Sequence, residues 1–484
     1  MLFNSFEFIF LFLPITLIGY FVLNSFEKEK LAKGYLVLAS LFFYGYFNYS
    51  YLLLIIASIL FNYFIGDLLV SKHHAVNKKI FLIIGVIFNI SLLGYFKYFN
   101  FFVSNVNLIF NTNLKLLNII LPLGISFFTF QQLSFIIDSY KGSNLKYDFL
   151  SYCLFVTFFP QLIAGPIVLP NEMLPQFENH KNKKISYDNL NKGLYIFSIG
   201  LAKKVLIADF LSEISKVGFD QIYYKLNLLE AWLVSISYTL QLYFDFSGYC
   251  DMAVGIALMF NIVLPLNFNS PYKATNIQDF WKRWHMTLGR FLTTYLYIPL
   301  GGNRKSELNT LLNLLIVFLV SGIWHGAGWN FLIWGALHGL SILVHRFWKH
   351  SKFKIPKLIG WFITFNLVNI FWIFFRSSNI ATSLNILESM FNINKFYLPS
   401  RLSNVNILKK IGLDFGDFNF SLLTFLQNYL VLIFLIFILI SRKNSFEKLS
   451  LYKSSNIKIV FISFLVVFSL ISLNSNSEFL YFNF

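Results

Sequence analysis

Two stretches of this chain carry side chains that could do chemistry at a membrane. The first is the apolar run Ser321–Trp329, in which His325 lies among Gly322, Gly326 and Gly328 and between Trp324 and Trp329, at the tip of a hairpin of two apolar spans. Glycine there relaxes a helix and lets backbones approach closely, and a broken helix at membrane depth persists only where it is buried or lines a cavity. An ionisable residue in such a place is a functional hypothesis by default. The alternative is a histidine that is simply hydrogen-bonded in the helix packing. The second stretch is the terminal Ser477–Phe484, which presents the phenol of Tyr481 on a short tether. A phenol with a pKa of about 10 is a poor nucleophile at neutral pH unless a base lies within hydrogen-bond reach. An imidazole is such a base, so His325 and Tyr481 read as the base and nucleophile of a group transfer.

The densest polar cluster is Asp279–Arg290. If it is one helix, Trp281, His285 and Leu288 share a face while Arg283 and Arg290 share another. One reading is an interfacial helix, with tryptophans at headgroup depth and arginines snorkelling to lipid phosphates. The other gives His285 a catalytic or substrate-lining role. It assigns Arg283 and Arg290, with Arg304 from the same basic run, to a phosphorylated donor, because guanidinium pairs well with phosphate. His338 and His345 are weaker candidates, and His345, followed by Arg346 and Lys349, marks the cytoplasmic interface. His73, His74, His180 and His350 fall in basic loops and read as solvated. Asp67, Asp138, Asp245 and Asp251 lie in or near apolar segments, where they would relay protons or brace helices.

The elements that must position these groups follow from composition. Of 484 residues, 57% are hydrophobic and 13% charged, with a mean hydropathy of +0.63. A soluble domain carries about a quarter charged residues, so the chain reads as a polytopic, all-α membrane protein. Apolar runs of roughly 20 residues span the hydrocarbon core. Such runs lie near 3–23, 34–50, 51–70, 80–97, 117–137, 150–165, 190–211, 229–260, 308–324, 329–345, 358–375, 424–441 and 457–473, about 11 to 13 segments in all. Of these, 150–165, and the stretch 280–300, read as re-entrant. Met1–Leu23 lacks a basic leader and a small-residue cleavage site, and reads as a retained first span.

The net charge of +17 sits in short clusters between spans, so topology explains it better than nucleic acid does. Taking 27–33, 72–79, 181–184, 282–305, 346–357 and 442–458 as cytoplasmic, the N-terminus faces outward and the tail with Tyr481 emerges on the outer side. Residues 377–423 form the longest outer segment, amphipathic in composition. No repeat or separate soluble domain is visible, so 1–484 reads as one transmembrane domain. Cys153 and Cys250 support neither a disulfide framework nor a thiolate metal site. No GxxxxGK[ST], HExxH or GxSxG pattern occurs, which weakens an ATP-driven pump, a zinc protease and a serine hydrolase.

An ordered series of motifs carries a family resemblance: Pro122–Gln131, Phe159–Pro166, Phe244–Ala253, Asn267–Tyr272, Asp279–His285, Tyr297–Asn303 and Ser321–His338. Together they span roughly residues 120 to 345, and through them the chain resembles the membrane-bound O-acyltransferase (MBOAT) superfamily. The similarity is to its bacterial branch related to the alginate O-acetylation membrane protein and the peptidoglycan O-acetyltransferase membrane subunit. The resemblance implies a helical core with a central tunnel between a cytoplasmic donor site and an outward cavity. The family's near-invariant histidine maps to His325 and the second implicated histidine to His285. The tail, Phe479-Leu-Tyr-Phe-Asn-Phe484, resembles a motif of teichoic acid D-alanylation and some wall O-acetyltransferases in which the tyrosine carries the acyl group.

By resemblance, then, the expected protein is a multi-pass O-acetyltransferase of the bacterial inner membrane. It would use cytoplasmic acetyl-CoA and no metal, and supply acetyl groups to a cell-surface polysaccharide, preferentially peptidoglycan, otherwise alginate or another exopolysaccharide. A periplasmic SGNH/GDSL-type O-acetyltransferase would be its partner. The competing class is a secondary transporter or flippase for a lipid-linked sugar. A transferase that acts on lipid, or on another acyl group such as D-alanine from a carrier protein, is a third expectation.

Overall fold

Apolar segments in lipid must satisfy their peptide groups internally, and the computed structural model of this chain is built from helices. It describes all residues except 72–76, 143–146, 221–225, 350, 352, 411–412, 454, 474–478 and 481–484, and the side chains of 406 and 409. Tyr481, Phe482 and Phe484, and the loop histidines His73, His74 and His350, therefore lie outside the described residues. The chain divides into two compact units, Met1–Ala202 with Ser247–Asn267 and Leu449–Phe484, and Lys203–Phe246 with Phe268–Lys448.

Among the described residues, six helices are long and apolar enough to cross a membrane: Glu7–Ser25, Ser50–Val70, Lys78–Phe110, Glu307–His325, Lys357–Arg376 and Leu422–Ser441. Several other runs read from the sequence are also helical, but shorter or more polar, including Glu29–Gly45, Trp329–Lys349 and the shorter apolar Asn456–Ile471. Residues 117–137 do not form one span. The chain is irregular from Thr112 to Leu121, and the helix begins only at Ile125, after Pro122 and after Gly124 at φ +71°. Residues 150–165 form Phe149–Thr157 and a single further turn, Phe159–Leu162, with Pro160 at its start. Within 377–423 lie the helix Ile380–Phe391 and a two-residue parallel pairing of Leu398–Pro399 with Phe415–Gly416.

In lipid the hydrophobic effect does not drive helix association, so close packing and polar contacts must. In the first unit Asn62 and Asn89 exchange side-chain hydrogen bonds (2.6 and 3.3 Å). Gln132 donates to Ser58 (3.0 Å) and accepts from Tyr152 (3.2 Å). These contacts join Ser50–Val70, Lys78–Phe110, Ile125–Tyr140 and Phe149–Thr157. An aromatic cluster of Phe3, Phe8, Phe43 and Tyr249 also takes in Phe479 from the tail, whose ring lies 4.6 Å from that of Tyr249.

In the second unit Asn369 accepts from Thr239 (2.7 Å) and donates to Ser235 (3.2 Å). Lys204 pairs with both Asp209 and Asp245 at 2.8 Å. Asp245 thus acts as a brace here, one of the two roles open to it from the sequence.

Candidate functional site

The second unit brings together His285, His325 and Arg290, whereas Tyr481 lies outside the described residues. Helix Glu307–His325 packs along Trp329–Lys349 so closely that a methyl group on Gly322 would strike the Phe331 carbonyl oxygen, and one on Gly335 would lie 2.5 Å from that of Phe318. These two glycines let the hairpin close, and closure buries His325, the last residue of its helix, at 3% exposure. Its ring makes edge contacts with Trp324 (4.8 Å), Trp334 (5.1 Å) and Phe375 (5.1 Å).

His285 is reached differently. The stretch Asp279–Arg290 is not one helix, and the shared faces expected of it do not exist. Ile277–Trp281 ends in a turn in which Arg283 and Trp284 both donate to the Phe280 carbonyl, and His285 then takes a left-handed conformation (φ 44°, ψ 51°) before Met286–Leu292 begins. A non-glycine residue held there costs on the order of 1–3 kcal/mol and persists only where its surroundings impose it. Asn276 caps the first helix through the Asp279 N–H (2.8 Å). Arg283 binds Asp279 (2.8 Å) and the Asn269 carbonyl (3.3 Å), and its own carbonyl accepts from the Asn269 N–H (2.9 Å). Arg283 therefore buttresses the break. The result places the His285 ring 6.3 Å from that of His325.

Beside this pair lies a cavity of about 790 Å³. Its apolar wall includes Trp281, Leu314, Val317 and Phe318, and its polar wall includes Lys282, Arg290, His345, Arg346 and Lys349, with no carboxylate among the described lining residues. Ser321 also lines it, one helical turn before His325. Of the three arginines expected at a donor, Arg290 faces this cavity. Arg283 is not among its lining residues, and Arg304 is exposed while its neighbour Asn303 lines the wall.

Lys282, His345, Arg346 and Lys349 line this cavity without being among the residues that the sequence marks for a phosphorylated donor. The signal was present, because the basic runs 282–305 and 346–357 both read as cytoplasmic and so belonged to the same side. What was missing was the fold that brings them to one cavity.

Residues 144–391 match the model of the membrane-bound O-acyltransferase family. The chain is also 50% identical over 424 residues to a peptidoglycan O-acetyltransferase of Helicobacter pylori, covering 81% of this chain and 80% of that protein. The chain belongs to the MBOAT family. It is further similar to a probable alginate O-acetylase of Pseudomonas aeruginosa (38% identical, 90% of this chain and 81% of that one). A teichoic acid D-alanyltransferase of Bacillus subtilis is 29% identical over 49% of this chain and 62% of its own length. As an MBOAT protein the chain is a multi-pass membrane acyltransferase, and the transporter reading of its buried acids and histidines falls. The family match covers the whole hairpin, the break at His285 and the basic cavity.

Proposed function

We propose that this acyltransferase moves an acetyl group from cytoplasmic acetyl-CoA across the inner membrane for O-acetylation of a cell-surface polysaccharide, peptidoglycan in the first instance. The observation that carries the reading is the His285–His325 pair, 6.3 Å between rings, a helical turn from a cavity with cationic walls. Coenzyme A bears phosphates that Lys282, Arg290, Arg346 and Lys349 suit, whereas its charged nucleotide cannot enter hydrocarbon. Only the acyl group can pass. The 50% identity to a peptidoglycan O-acetyltransferase supports the choice of acetyl and of acceptor; the alginate relatives support exported polysaccharide as the second acceptor.

In this mechanism the phenolic oxygen of Tyr481 adds to the thioester carbonyl carbon while His325 takes the phenolic proton. The tetrahedral adduct expels the coenzyme A thiolate, and His325 returns the proton to it, leaving an acetyl-tyrosine ester and a free thiol. His285 orients His325 or the acyl group. An outer transferase of SGNH/GDSL type then moves the acetyl group from Tyr481 to the sugar.

The test is base-labile acetate in purified peptidoglycan and in exported polysaccharide from cells carrying His325→Ala. Loss from peptidoglycan supports the proposal, loss confined to exported polysaccharide moves the acceptor, and no loss from either fraction overturns it.

A further inference from the structure

His338 lies on the helix Trp329–Lys349, fully buried, with Trp281, Trp334 and Phe371 around its ring at 4.9, 4.9 and 4.8 Å. The Trp281 indole N–H donates to His338 Nδ1 at 3.2 Å. Indole can only donate, so Nδ1 is the accepting nitrogen and the proton of the neutral ring sits on Nε2. That Nε2–H is buried with no partner among the described residues, and so is the indole N–H of Trp334. Trp334 and His338 are four residues apart on one helix and hence on one face. The Trp334 ring also lies 5.1 Å from that of His325.

Two buried donors without an acceptor among the described residues, an arrangement that destabilises a fold unless something supplies the oxygen, stand together beside the candidate base. Both are donors, so what they lack is an oxygen bearing lone pairs. We infer that His338 Nε2–H and Trp334 Nε1–H receive the carbonyl oxygen of the transferred acyl group and stabilise the negative charge that gathers there when the nucleophile adds to the carbonyl carbon. Trp281, a wall of the basic cavity, fixes which His338 nitrogen carries the proton. This rests on the acyl-transfer mechanism proposed above and extends it to a second pair of residues.

The experiment uses the full-length protein in lipid nanodiscs and follows thiol release from acetyl-CoA. Trp334→Phe keeps most of the ring but removes the N–H, and is expected to lower kcat roughly 100-fold, the effect of losing one such donor, with KM within about twofold. His338→Gln can still accept from Trp281 and donate from its amide, and is expected to turn over about tenfold faster than His338→Leu. A wild-type kcat in Trp334→Phe, or equal rates for His338→Gln and His338→Leu, overturns the inference while leaving acetyl transfer intact. A wild-type protein that releases no thiol overturns the proposed function and this inference with it.

Discussion

The imidazole rings of His285 and His325 lie 6.3 Å apart, one on a left-handed residue between two short helices and the other at the last turn of a membrane helix. Backbone devices therefore set both groups: a strained residue for one, and a hairpin closed by glycine contacts for the other.

The strain at His285 separates its backbone role from its chemical one. Asparagine tolerates left-handed geometry far better than a β-branched residue. His285→Asn is expected to keep the unfolding temperature of the detergent-solubilised protein and to lose at least ~100-fold in acetyl transfer. His285→Val should lose stability as well, by about 1–3 kcal/mol. Calorimetry and thiol release on the same samples check both.

Arg290 and Arg304 are predicted to differ. Arg290 lines the cavity, whereas Arg304 does not. Losing one charge-assisted hydrogen bond of about 1.5 kcal/mol corresponds to roughly tenfold in affinity. Arg290→Gln should therefore raise KM for acetyl-CoA about tenfold, by an amount that shrinks as salt rises, and Arg304→Gln should stay within twofold. Initial-rate kinetics at two ionic strengths would show it.

Asp279 is expected to act on activity through Arg283. In Asp279→Asn the guanidinium loses its ionic partner while the asparagine can still accept a hydrogen bond. Turnover should fall several-fold with KM for acetyl-CoA unchanged, because neither Asp279 nor Arg283 is among the cavity-lining residues. A rise in KM without loss of kcat would contradict this placement.

Gly322→Val tests the hairpin. Its added carbons meet the Phe331 carbonyl oxygen, which belongs to backbone and cannot rotate away. Overpacking of this kind costs about 1–3 kcal/mol, read as a lowered unfolding temperature together with lost activity.

Tyr481→Phe removes one oxygen from the tail. It is expected to leave expression and unfolding unchanged and to abolish surface acetate; undiminished base-labile acetate in that mutant would exclude the tyrosine relay.

Much of this was legible in the sequence where one local signal sufficed. The long apolar runs announced helices, and the glycine-flanked His325 announced a break buried at a hairpin tip. The break at His285 was not legible, because Asp279–Arg290 contains no proline and its only glycine, Gly289, lies past the break. Beside the left-handed turn, Arg283 is held by Asn269, 14 residues earlier in the chain. The basic cavity was half legible, since charge placed two runs on one side but not against each other. The unused donors of His338 and Trp334 had no sequence signature, because an orphaned hydrogen is defined by what surrounds it.

The helix Lys78–Phe110 has one more consequence. Its 33 residues rise about 50 Å, while a bilayer's hydrocarbon layer is only about 30 Å thick. Just 11% of its most apolar window is buried in the protein, so much of it faces lipid while a narrow stripe with Asn89 holds it to its neighbours. It must lean, bend near its wider turn at Gly94–Tyr98, or stand clear of the hydrocarbon. Lipid chain length in a reconstitution is therefore a mechanical load on this helix, and mismatch with the host membrane becomes a determinant of its tilt.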